Sequence, residues 1–125
     1  MILDTNALSA AADHEEGINV ALGEAHYIAL PVIVLGEFRY GIVQSRLHPH
    51  YEKWLDELIP DCAVLDVTEA TTLHYAAIFL ELRKAGKPIP TNDVWIAALC
   101  RQHALPLLSR DRHFDFVRGL QRLEW

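Results

Sequence analysis

Short apolar runs that alternate with longer stretches of helical period constrain this chain more than any other feature. Four runs bounded by polar or turn residues read as strands: Ile2–Leu3, Tyr27–Leu30, Ala63–Val67 and Leu107–Ser109. A weaker fifth lies at Leu120–Leu123. Helices are expected over Asn6–Leu22, broken near Gly17, and over Val32–Arg46, Tyr51–Ile59, Thr68–Ala85 and Asn92–His103. Within the fourth, Leu73, Ala76, Ala77 and Leu80 mark the apolar stripe. Strands alternating with helices make a parallel sheet covered on both sides, whose crevice lies beyond the carboxyl ends of the strands. The 125 residues, 51% hydrophobic, suffice for one domain spanning positions 1–125 with a core that needs no staples.

Several classes drop out early. No segment reaches the ~18 apolar residues of a membrane span, and Asp4 follows the start too closely for a basic leader. Cys62 and Cys100 form no CxxC pair and read as small hydrophobes in a reducing, cytoplasmic compartment. The net charge of −6 argues against a bulk electrostatic grip on nucleic acid. Its distribution is uneven: residues 1–69 carry twelve acids and three bases, whereas residues 70–125 carry five acids and eight bases. A polyanion should meet the second part first. The seven histidines form no metal motif; there is no HExxH, and His48 and His50 fall in an expected loop.

The chemistry lies in four carboxylates. Asp4 follows the first strand and Asp111 the fourth, so both stand at the carboxyl edge. Glu37 interrupts an apolar helix, where a charge is costly without a partner. Asp93 falls in the first turn of the fifth helix, after Pro88-Ile89-Pro90. Each has an ordinary alternative as a cap, a turn residue or a solvated acid. Together they converge on one edge, and four carboxylates about 5 Å apart would repel by roughly 3 kcal/mol per pair at a dielectric near 20. A hard divalent cation removes that penalty, and an all-oxygen set selects Mg²⁺ or Mn²⁺. Such an ion supplies what phosphodiester hydrolysis requires.

Four blocks carry a resemblance: Leu3-Asp4-Thr5-Asn6, Gly36-Glu37-Phe38-Arg39-Tyr40-Gly41, Thr91-Asn92-Asp93-Val94-Trp95-Ile96-Ala97-Ala98, and Ser109-Arg110-Asp111-Arg112-His113-Phe114. In this order and spacing the chain resembles the PIN-domain ribonucleases, and more narrowly the VapC toxins of type II toxin–antitoxin systems. The resemblance implies a PIN-like three-layer α/β sandwich with a four- or five-stranded parallel sheet flanked by helices. It implies Asp4, Glu37, Asp93 and Asp111 as catalytic and metal-site acids, with Mg²⁺ or Mn²⁺. Endonucleolytic cleavage of RNA, a VapB-type antitoxin and a homodimer are implied as well. Thr5 and Ser109 match supporting hydroxyls, Asn6 and Asn92 orient neighbouring acids, and Asp115 matches a further acid. Only three residues precede Asp4, fewer than in many relatives, which shortens the first strand.

Flanking phosphates need separate contacts. Arg110, Arg112 and Arg118 surround Asp111 in sequence and are the expected RNA-binding arginines, with Arg83, Lys84 and Lys87 as the alternative track. Receiver domains and haloacid-type phosphatases want a second acid after the first strand or a late lysine, and neither is present. A catalytically inactive PIN-like binding module is the remaining alternative.

Overall fold

Burial decides which segments pair at the centre of this molecule. The computed structural model describes all 125 residues. Five parallel strands form one sheet: β1 (Ile2–Leu3), β2 (Ala29–Pro31), β3 (Ala63–Leu65), β4 (Leu107–Leu108) and β5 (Arg122–Leu123). Their spatial order is β3-β2-β1-β4-β5. Six helices flank the sheet: α1 (Thr5–Ala12), α2 (Ile18–Glu24), α3 (Val32–Ile42), α4 (His48–Leu58), α5 (Glu69–Lys84) and α6 (Thr91–His103). Short 3₁₀ turns occupy Ile59–Asp61 and Arg112–Phe116. The expected sandwich and parallel sheet are both present, with five strands.

The order of strands matters for function. From β1 the chain moves to β2 and then β3 on one side, and returns through α5 and α6 to β4 on the other side of β1. The switch point therefore lies between β1 and β4, where Ile2 pairs with Leu107 and Leu3 with Leu108. A crevice opens there, beyond the strands' carboxyl ends. Ile2, Leu3, Leu107 and Leu108 are buried, and α6 buries Ile96 to Cys100 without interruption.

Several boundaries differ from the sequence reading for local reasons. The helix over 6–22 divides at Gly17 as expected, Gly17 having φ 87° before α2, but its first part already ends at Ala12. Strands β2, β3, β4 and β5 are shorter than their apolar runs, since the ladder engages only two or three residues of each. Helix α3 ends at Ile42, not Arg46. Helix α4 begins at His48, with Pro49 in its first turn, where a missing N–H costs nothing. His48 and His50 are thus helical, and His48 Nε2 lies 3.5 Å from Glu52 one turn on.

The face of α5 is the main correction. Leu73 and Leu80, in the stripe expected to pack, are 74% and 52% exposed, and Ala76 and Ala77 are exposed with them. The helix buries Thr71, Ile78 and Leu82 instead. Both stripes have helical spacing, and α6 selects between them with specific partners. Thr71 Oγ1 donates to Gln102 Oε1 at 2.6 Å, Tyr75 stacks on Trp95 at 3.9 Å between centroids, and Arg101 makes a bidentate pair with Glu81.

Helix α6 is capped by Ala104, whose φ 52° and ψ 44° lie in the left-handed region. A Cβ is disfavoured there by about 1–2 kcal/mol, partly offset by the unfolded-state entropy of a glycine. Ala104→Gly should therefore stabilise the protein by about 0.5–1 kcal/mol in urea denaturation.

Candidate active site

Asp4 leaves β1 and caps α1. Its Oδ1 accepts the Thr5 N–H at 2.8 Å, and its Oδ2 accepts the Ser109 hydroxyl at 2.6 Å and the Asn6 amide at 3.1 Å. The residue is 2% exposed. Burial raises the carboxyl pKa, the Ser109 and Thr5 bonds oppose this, and the charges of Asp111 and Glu37 add to the rise. Ser109 is fully buried at the end of β4, and its Oγ also accepts the Asp111 N–H at 3.0 Å. One hydroxyl thus fixes both strand-end acids.

Asn6 works in the same way with more atoms. Its Nδ2 faces Asp4 Oδ2, Ser109 Oγ and Asp111 Oδ2 at 3.1 to 3.2 Å, while its Oδ1 accepts the Arg110 N–H at 3.3 Å. Donor partners on one side and acceptors on the other settle the amide's orientation. Thr5 Oγ1 donates to Glu37 Oε1 at 3.0 Å, tying α1 to α3.

Asp93 sits half-buried in the first turn of α6. Its pKa is pushed up to about 6, first by burial, then by Asp4, with Glu37 and Asp111 adding and His113 opposing. His113 Nε2 is 2.9 Å from Asp93 Oδ2, a close contact without an aligned hydrogen bond. Nothing in the spacing of His113 along the sequence shows that the 3₁₀ turn carries it back to α6.

Asp4, Glu37, Asp93 and Asp111 all line one open cavity of about 640 Å³, together with Thr5, Asn6 and Asn92. As the side chains stand, no three histidine, cysteine or acidic residues close on a single point. Asp115 lies apart: it is exposed and paired with Arg122 through Nε and Nη2 at 2.8 and 3.0 Å, which holds its carboxyl below the usual range. Of the three expected RNA-binding arginines, Arg110 is paired with Glu15 and lies 4.0 Å over the Trp125 ring. Arg112 and Arg118 are exposed and take no part in any ion pair.

The family model described as PIN domain matches residues 1–120. The chain is a member of the PIN-domain family. It is 31% identical over 94 residues to Ribonuclease VapC2 of Haemophilus influenzae, covering 74% of this chain and 71% of that protein. Ribonuclease VapC2 of Rickettsia felis is 29% identical over 129 residues, covering 99% and 96%. The crystal structure of VapBC2 from Rickettsia felis bound to a promoter DNA fragment superposes with a TM-score of 0.90 at 25% identity. That match covers 99% of this chain and 97% of the other. No helix of this PIN domain is long and apolar enough to cross a membrane.

The raised Asp93 pKa has a signed consequence. Between its ordinary value of 3.8 and about 6 the folded state holds more protons than the unfolded one. Stability from this group is therefore complete at low pH and is lost as pH rises through about 6. In metal-free protein, Asp93→Asn should melt higher than wild type at pH 7, with the gap closing toward pH 4. Thermal melts across that range test this, and a gap that does not vary with pH would remove the crowding.

Proposed function

We propose that this PIN-domain protein is the toxin of a type II toxin–antitoxin pair, an endoribonuclease that hydrolyses RNA phosphodiester bonds with Mg²⁺ or Mn²⁺. The observation that carries this reading is the gathering of Asp4, Glu37, Asp93 and Asp111 around one cavity at the sheet's switch point. The relatives named as VapC ribonucleases support the activity, and the VapBC complexes among the similar structures support a VapB-type antitoxin. The cavity would receive an Arg or Lys side chain of an antitoxin segment whose apolar residues pack on the exposed helices around it. A homodimer and a cytoplasmic location complete the reading, the latter in keeping with the free Cys62 and Cys100.

The residues fit a hard cation. The cavity offers carboxylate, amide and hydroxyl oxygens and no thiol, and the repulsion that adds to burial in raising Asp93 is the kind a cation relieves. Asp4, Glu37, Asp93 and Asp111 would hold it. When bound, the ion supplies polarisation of the scissile phosphate and activation of water. Ser109 and Asn6 hold Asp4 and Asp111 at a fixed separation. Thr5 restrains Glu37, and Asn92 stands at the cavity wall beside Asp93. Arg112 and Arg118 would take flanking phosphates by sequence-blind, salt-dependent contacts. Arg110 would serve that role only by leaving Glu15. Asp115 would contribute at a distance, since Arg122 occupies it.

Asp4→Asn, Glu37→Gln, Asp93→Asn and Asp111→Asn should each lower the cleavage rate by orders of magnitude, because the acids act as a unit. Asp115→Asn should cost less. Calorimetric titration of Mn²⁺ should give heat with wild type and much less with Asp93→Asn. Arg112→Ala and Arg118→Ala should each flatten the salt dependence of RNA binding by roughly one unit or less while metal affinity stays unchanged. Full activity in any of the four acid variants would remove that residue from the site. Intact RNA binding with no cleavage under any divalent metal would favour the inactive binding module.

A further inference from the structure

A second cavity adjoins the acid site along the segment that leads into α6. It has a volume of about 510 Å³, within the range of small-molecule sites, and lies between the end of α5 and the first turn of α6. Leu82, Pro88, Ile89 and Val94 supply apolar walls, and Phe79 stands at the mouth with 43% of its surface exposed. Val94 is the neighbour of Asp93, and Pro90, one residue after Ile89, lines the acid cavity. The two spaces therefore share one wall.

The charge around this groove is opposite to that of the acid site. Arg83 lines it, Lys84 and Lys87 flank it, and no carboxylate lines it. None of these three bases takes part in an ion pair, in a chain whose net charge is −6. Lys87 Nζ sits 4.7 Å above the ring of Phe116, an aromatic that is itself 48% exposed. Apolar walls, an exposed aromatic face and free cations are the combination that binds a single-stranded nucleic acid by stacking and phosphate contact.

We propose that this groove is a nucleobase subsite: it seats one unpaired base of the RNA beside the scissile bond, while Arg83 and Lys87 hold the adjoining phosphates. This inference rests on the ribonuclease reading and adds to it a requirement for an unstacked base next to the cut. The lining carries no neutral polar side chain, so the subsite selects an exposed base by its π-face and is tolerant of which base it is. A peptide segment of the antitoxin or of a second copy would also find apolar walls here. The cations Arg83, Lys84 and Lys87, none of them in an ion pair, and the Ile89–Val94 segment that borders both cavities favour the RNA strand.

The test uses full-length protein and a short single-stranded RNA with 2-aminopurine placed at each position in turn. In metal-free wild type, one position next to the cut bond should show altered fluorescence. Phe79→Ala should abolish that signal and raise Kd and KM about tenfold or more, with kcat at saturation nearly unchanged. Removing that base from the RNA should have the same effect and make Phe79→Ala silent. Arg83→Ala and Lys87→Ala, both on the surface, should weaken binding and reduce its salt slope, so the proposal stays testable if Phe79→Ala folds poorly. Equal KM for all variants, or an abasic RNA cut as well as the intact one, overturns the subsite. Loss of dimer or antitoxin complex in Phe79→Ala with RNA affinity unchanged assigns the groove to a protein and also overturns it. Wild type that neither binds nor cuts RNA overturns the ribonuclease reading, and the subsite falls with it.

Discussion

The bond from the Ser109 hydroxyl to Asp4 joins residues 105 positions apart, inside a space from which water is nearly excluded. A carboxylate there is costly unless donors surround it. Three donors do: the Ser109 hydroxyl, the Asn6 amide and the Thr5 N–H. The Ser109 donor depends on β1 and β4 being neighbours in register, so the acid-bearing edge and the centre of the sheet are one construction. Removing the Ser109 hydroxyl deprives buried Asp4 of its shortest donor and takes away one of the two holds on Asp111, the other being the Asn6 amide.

The acids of the site strain one another's ionisation. Asp4 and Asp93 are both harder to ionise than ordinary carboxyls, each for burial first and for its acidic neighbours second. His113 offsets part of this at Asp93. Of the seven bases outside any ion pair, five lie in the second part of the chain, at Arg83, Lys84, Lys87, Arg112 and Arg118.

How much of this was legible in the sequence depended on whether the signal was local. The strand–helix alternation was visible because burial imposes a period on each element separately, and Asp4 and Asp111 were placed by their position after strands. Helix α5 shows the limit. Its two stripes, one through Leu73 and Leu80 and one through Thr71, Ile78 and Leu82, are equally periodic, and only the partners on α6 choose between them. His113 was illegible for a related reason, because its approach to Asp93 is made by a 3₁₀ turn and not by a repeating element. The engagement of Arg110 by Glu15 and Trp125 likewise joins three distant segments with no shared pattern.

The pairing of β1 with β4 also has a bearing on biosynthesis. Residues 2–3 wait for residues 107–108 before the sheet's central ladder can close, and Asp4 waits for Ser109. Contacts of such separation form late, after a large loop entropy has been overcome. A chain still being translated, or one cut short before β4, holds Asp4 and Glu37 but lacks Ser109 and Asp111. For the ribonuclease proposed above, the full acid set comes together only once the growing chain has nearly left the ribosome that made it.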